Sequence, residues 1–192
     1  VTMSVGMFLL TVIVGSYGTD ALAAFGVGFR LDALAMLPGM GVSIAVVSIV
    51  GQSIGAGKMD RARRVTLKAG VMASAFMSVV GLVFYVFAME IIMVFNSSPG
   101  VVEYGSSFLH IIPLSYLVVG VAMCVSGAFI GSGRAVLALM ATVLRVVVFS
   151  VPAAYFLSQY YGVSGVWWGM VVGSFLGFLF SMFLFRFGGW DK

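Results

Sequence analysis

Four side chains could do chemistry against an otherwise apolar background: Arg145, Asp32, Arg30 and His110. Arg145 falls inside the apolar run 135–157. A lone arginine at the centre of a lipid-spanning helix costs roughly 2.5–3.5 kcal/mol on insertion scales. Its guanidinium must therefore face a wet cleft, a carboxylate or free backbone carbonyls. Two roles are open to it: a charge in a cleft or gate, or a brace for Pro152 and nearby helix ends. Asp32 is the one carboxylate near a span interior. It either takes a proton, Na⁺ or a cationic molecule, or stands in water at the outer edge of the membrane. Arg30, two positions away, points to another side of the same helix and cannot pair with Asp32 as a helical neighbour. An Asp32–Arg145 ion pair across helices stays open. His110, close to Pro113, is either a proton-coupling group, for which imidazole is the suited side chain near neutral pH, or a polar anchor at the interface. No second His, Cys or acid stands at metal-ligand spacing, so no metal site is expected. No nucleophile elbow is present, and no acid lies near His110 in sequence, so the chain does not read as an enzyme.

The surrounding elements must position these groups in lipid. The 192 residues are 62% hydrophobic and 8% charged, with a mean hydropathy of +1.18. Soluble domains carry about 25% charged residues, so a soluble domain and a disordered chain are both excluded. The net charge of +4 does not indicate a nucleic-acid binder, because ten Lys and Arg are too few and too scattered for a phosphate-binding face. Six apolar segments are expected to span the bilayer: 2–17, 21–54, 65–88, 106–130, 135–157 and 163–185. The predicted fold is thus all-α, a polytopic membrane protein with a single six-helix lobe over 1–192. Ten-residue alternating strands are absent, which excludes a transmembrane barrel. Segment 2–17 has neither a basic leader nor a small-residue cleavage pattern, so it is not read as a signal peptide. The lone cysteine, Cys124, lies in an apolar run and reads as a buried packing residue.

Orientation follows from the cations. Lys58, Arg61, Arg63, Arg64 and Lys68 separate the second and third segments, Arg134 separates the fourth and fifth, and Arg186 and Lys192 follow the sixth. All eight fall on one side of an alternating path. The opposite loops hold Asp20, Glu90 and Glu103 and no Lys or Arg. The basic side is expected to be cytoplasmic, with both termini on it. Segment 21–54 is too long for an upright span, at roughly 50 Å as a helix. Pro38 should bend it, and its outer part should carry Arg30 and Asp32 near the outer edge. Residues 90–95 read as a short interfacial segment. Ser98 and Pro99 read as a helix start, and Asp60 as the cap of the third span.

Two spans end alike, in Ile54-Gly-Ala-Gly-Lys58 and Ile130-Gly-Ser-Gly-Arg134. Gly55, Gly57, Gly131 and Gly133 read as helix-end hinges, because glycine takes the left-handed C-cap conformation and a cation meets the negative helix end. A phosphate-cradling loop would need a preceding strand and Walker spacing, which are missing. At these residues the chain resembles the multidrug and toxin extrusion (MATE) family: Val50-Gly-Gln-Ser-Ile-Gly-Ala-Gly-Lys-Met-Asp-Arg-Ala-Arg-Arg64 is similar to its signature loop. Further similar pieces follow in family order. They are Ala23-Ala24-Phe25-Gly26 with Arg30-Leu31, then Phe95-Asn-Ser-Ser-Pro99 with Tyr104 and Phe108-Leu109, then Leu144-Arg145 with Val151-Pro152 and Ala154-Tyr155, and finally Gly162-Val-Ser-Gly-Val-Trp-Trp168.

The resemblance implies one lobe of a two-lobe exporter, coupled to H⁺ or Na⁺ and working by alternating access, with no organic cofactor. It implies an organic cation or amphipathic drug as substrate, a bacterial or archaeal plasma (inner) membrane as location, and membrane lipid as surroundings. It also implies a complementary N-terminal lobe, on the same or a separate chain, or a second copy. The lobe's carboxylates in the Na⁺-coupled branch have no counterparts here, since 2–17 and 106–130 lack Asp and Glu. A lipid or lipid-linked oligosaccharide flippase of the same superfamily, or a non-transporting membrane module, are the alternatives. The glycines of Gly169-Met-Val-Val-Gly173-Ser-Phe-Leu-Gly177 read as a close-packing stripe, and Trp167, Trp168 and Trp190 as interface anchors.

Overall fold

The computed structural model describes residues 2–190, with side chains from residue 4. Val1 and Lys192, the latter one of the cations read as lying on the basic side, fall outside the described residues. Every regular element is helical: α1 (Thr2–Gly15), α2 (Thr19–Gly55), α3 (Met59–Val86), α4 (Ala88–Phe95), α5 (Pro99–Ile111), a 3₁₀ turn (Ile112–Ser115), α6 (Tyr116–Gly131), α7 (Ala135–Val143), a π-helical stretch (Leu144–Ser150) and α8 (Val151–Phe187). Among the described residues, four helical runs are long and apolar enough to cross a bilayer: Thr19–Gly55, Met59–Val86, Pro99–Gly131 and Ala135–Phe187, with a shorter apolar helix at Ser4–Gly15. The last run breaks at Gly162, whose φ of 59° and ψ of −140° leave the helix and join two helices across a kink.

Glycine lets the backbones approach. A Cβ on Gly120 of α6 would stand 2.7 Å from the Ser74 Cα of α3, and one on Gly127 would stand 2.7 Å from the Ser43 carbonyl of α2. Serines tie the same seams: Ser43 Oγ donates to the Met123 carbonyl at 2.8 Å, and Val121 N–H donates to Ser74 Oγ at 3.1 Å. The α8 stripe works likewise, with Gly169 against the Ala154 backbone, Gly173 against Ser150 and Gly177 against the stem of Arg145.

The buried side chains form two clusters. One gathers Phe25, Phe108, Tyr116 and Trp167 from α2, α5, α6 and α8. The other gathers smaller groups, Val46, Val50, Ala62 and Cys124, beside Phe129, Phe185 and Trp190. Two of the three tryptophans are therefore interior packing, not interface anchors: Trp167 is stacked 5.6 Å from Phe25, and Trp190 donates from Nε1 to the Phe185 carbonyl at 2.6 Å. Only Trp168 is exposed.

Two expected caps also differ. No Ser98 side-chain bond caps α5, although Pro99 does take the first turn; Asn96 Oδ1 instead accepts from the Ser98 N–H at 2.8 Å. The cap position of α3 falls on Lys58, and Asp60 sits within the first turn. There its negative charge suits the helix's positive end without a capping bond.

Candidate functional site

Asp32 is carried by α2, two helical turns beyond Phe25 and before Pro38, which lies inside the continuous helix. Its neighbours Leu31 and Ala35 are buried with it. The side chain is only 5% exposed, so it does not stand in water at an outer edge. A buried carboxylate needs hydrogen bonds, and Tyr116 supplies one: its hydroxyl donates to Asp32 Oδ1 at 2.7 Å. Tyr116 is itself 1% exposed and opens α6 directly after the 3₁₀ turn that holds Pro113. That turn sets the tyrosine's direction. Gly81 of α3 makes room for its ring, since a Cβ there would lie 2.9 Å from both Tyr116 Cδ2 and Pro113 Cβ. Sequence reasoning missed Tyr116. The signal was present as a hydroxyl-bearing aromatic three residues after a mid-span proline.

Arg145 enters from the π-helical stretch. Pro152 supplies a physical reason for that winding. It has no N–H to donate, and its ring crowds the carbonyl four residues back, so a wider turn relieves the clash. Ser150 Oγ then donates to the Arg145 carbonyl at 2.9 Å, five residues back. The aliphatic stem of Arg145 lies over Gly177, where a Cβ would stand 2.6 Å from its own Cβ. The residue is half-buried. Its charge and that of Asp32 act on each other through space, and no direct ion pair joins them among the described residues. The structure thus brings Asp32, Tyr116 and Arg145 to one locus, from α2, α6 and the π-helical stretch.

The other two candidates do not join them. Arg30 is exposed, on another side of α2. His110 is exposed at the end of α5, with its ring 4.8 Å from that of Tyr85 in an edge arrangement. The glycines sit at helix ends. Gly57 and Gly133 have φ of 69° and 77°. Gly55 and Gly131 are the last residues of α2 and α6, and the latter lies against the Val47 carbonyl. Among the described residues, no group of three or more His, Cys, Asp or Glu could hold a metal ion.

The site can therefore hold a carboxylate and a guanidinium out of bulk water, with a tyrosine hydroxyl on the first. Such a constellation can bind a small cation or proton, pair with itself, or take a charged substrate group.

Known proteins share this arrangement of helices. A probable multidrug resistance protein NorM from Thermotoga maritima is 24% identical over 191 residues, which is 98% of this chain and 41% of that protein. A MATE family transporter solved in an inward-facing conformation matches with a TM-score of 0.89 at 25% identity, over 96% of this chain and 43% of that one. One solved in an outward-facing conformation matches with a TM-score of 0.88 at 26% identity, over 96% of this chain and 43% of that one. The chain spans about two-fifths of the length of the relatives it matches. The family model described as MatE covers residues 1–156, and with that match over most of its length the chain belongs to the MatE family.

Proposed function

We propose that this chain is one lobe of a multidrug efflux antiporter, coupled to H⁺ or Na⁺ and working by alternating access. It crosses the inner membrane six times, with both termini in the cytoplasm. It works against a complementary lobe, on the same or a separate chain or as a second copy. It is a transporter and not an enzyme. Asp32, Tyr116 and Arg145 form its polar centre. The observation that carries this reading is the buried, hydrogen-bonded Asp32 facing Arg145 across three elements, in a chain whose fold matches transporters solved facing both ways. Ionisable groups at such depth are costly and mark ion or substrate paths.

The test is drug efflux from cells expressing the chain with and without a complementary lobe. Efflux is expected only with both lobes, and Asp32→Asn is expected to remove its dependence on the H⁺ or Na⁺ gradient. Gradient-dependent efflux that survives both Asp32→Asn and Arg145→Ala would overturn the site.

A second reading is export of an anionic substrate, as a flippase for lipids or lipid-linked sugars would need. One observation favours it: Arg145 is half-buried where Asp32 is buried, so more of the arginine side chain than of the carboxylate is reachable at the locus. Competition of ethidium efflux by an anionic dye separates the two readings.

A further inference from the structure

The loop between α2 and α3 frames an open hollow of about 420 Å³, lined by Gly57, Lys58, Met59, Asp60, Arg61 and Arg64. Three cations against one carboxylate leave the lining at +2. The turn that shapes the hollow is fixed by backbone bonds. Lys58 N–H donates to the Ser53 carbonyl at 2.8 Å and Gly57 N–H to the Ile54 carbonyl at 2.9 Å, with Gly57 at a φ of 69°. Lys58, Arg61 and Arg64 are all exposed, so their charges are available to a ligand.

What lies below the hollow identifies the ligand. On the helical face of α3 that carries Arg64, the next turn presents Leu67, 38% exposed, beside the exposed Lys68, and the turn after it presents Val71, 63% exposed. Residues three, four and seven apart share a face. The basic hollow therefore opens onto a face where one further cation, Lys68, stands between apolar side chains that lead down the helix into the bilayer. A free phosphate would use the hollow alone, whereas a lipid uses both parts. Its phosphodiester is held by arginines that can bind two oxygens at once, and its acyl chain lies along Leu67 and Val71. We propose that this hollow is a binding site for one anionic phospholipid, independent of the polar centre at Asp32.

The experiment is native mass spectrometry of the full chain in detergent, titrated with phosphatidylglycerol or phosphatidylcholine. One phosphatidylglycerol is expected to remain bound at concentrations where phosphatidylcholine does not. The double variant Arg61→Ala, Arg64→Ala is expected to weaken that binding about tenfold or more, since each basic side chain near an anionic headgroup contributes about fivefold. Arg186→Ala removes the same kind of charge at the far end of α8 and is expected to leave binding within about twofold, well below that per-cation factor. Val71→Glu, which puts a charge in the acyl path, is expected to weaken binding without touching the hollow. Equal loss in Arg186→Ala and the double variant would overturn the proposal, because the attraction would then be diffuse. Equal retention of phosphatidylcholine, or displacement of phosphatidylglycerol by soluble glycerol phosphate, would also overturn it.

Discussion

The lobe treats its charges in two opposite ways. At the polar centre, Asp32 is 5% exposed and held by a tyrosine hydroxyl, with Arg145 half-buried nearby. At the basic rim, Lys58, Arg61 and Arg64 are exposed to water or headgroups. The residue types are similar and the environments are not. Buried charges lose hydration and hold only if their neighbours compensate them, so removing one partner leaves the other stranded. Exposed charges keep their hydration and contribute little to stability. The charges that matter for folding should therefore be few and central, while those that matter for lipid recognition should be peripheral and replaceable.

The largest expected effect follows from stranding the carboxylate. Arg145→Ala removes the positive charge that Asp32 faces and trims the stem packed over Gly177. No direct ion pair joins the two among the described residues, so we expect a loss of up to about 3 kcal/mol, the upper end of ordinary point substitutions, from the uncompensated carboxylate and the lost stem packing together. It should appear as a lowered thermal midpoint in detergent. A loss no larger than that of a rim arginine would break the comparison outright. Tyr116→Phe comes next. It leaves Asp32 Oδ1 without its donor, and a buried acceptor so orphaned costs about 1–3 kcal/mol. The comparison is sharpened by repeating Tyr116→Phe in an Asp32→Asn background. Groups in one network couple by about 0.5–3 kcal/mol, so strictly additive losses would show that the hydroxyl acts elsewhere.

The rim was more legible in the sequence than the centre. Gly57 and Gly133 take left-handed backbone because a helix stop followed by a cation is a local pattern, complete within five residues. Pro113 is a local signal too, and it stands at the start of a 3₁₀ turn. Asp32 could not be placed that way. Its burial depends on which helices pack opposite α2, and no spacing along the chain states that Tyr116, 84 positions away, will donate to it. The tryptophans misled for a related reason. A Trp near a span end is an anchor only if lipid surrounds it, and Trp167 and Trp190 are enclosed by Phe25, Phe108, Phe129 and Phe185 instead. The π-helical stretch had a readable cause in Pro152, but whether the helix kinks, breaks or widens there is decided by Ser150 and by the close approach of Gly173.

Two smaller effects belong to the rim. Gly57→Ala forces a Cβ into left-handed backbone, at a cost of about 1–2 kcal/mol. The space around Gly57 is open, so strain alone is measured; a neutral result would show that the turn relaxes without consequence. Arg61→Ala should change the thermal midpoint least, by about 0.5 kcal/mol or less, as surface substitutions do. Yet the same change should weaken the hold on phosphatidylglycerol, and raised salt should weaken that hold further by screening the remaining cations. A residue neutral for folding and not for lipid separates the two uses of charge in this lobe. If Arg61→Ala instead lowered the midpoint as far as Tyr116→Phe does, the rim would be part of the folding core, and the division between centre and rim would fall.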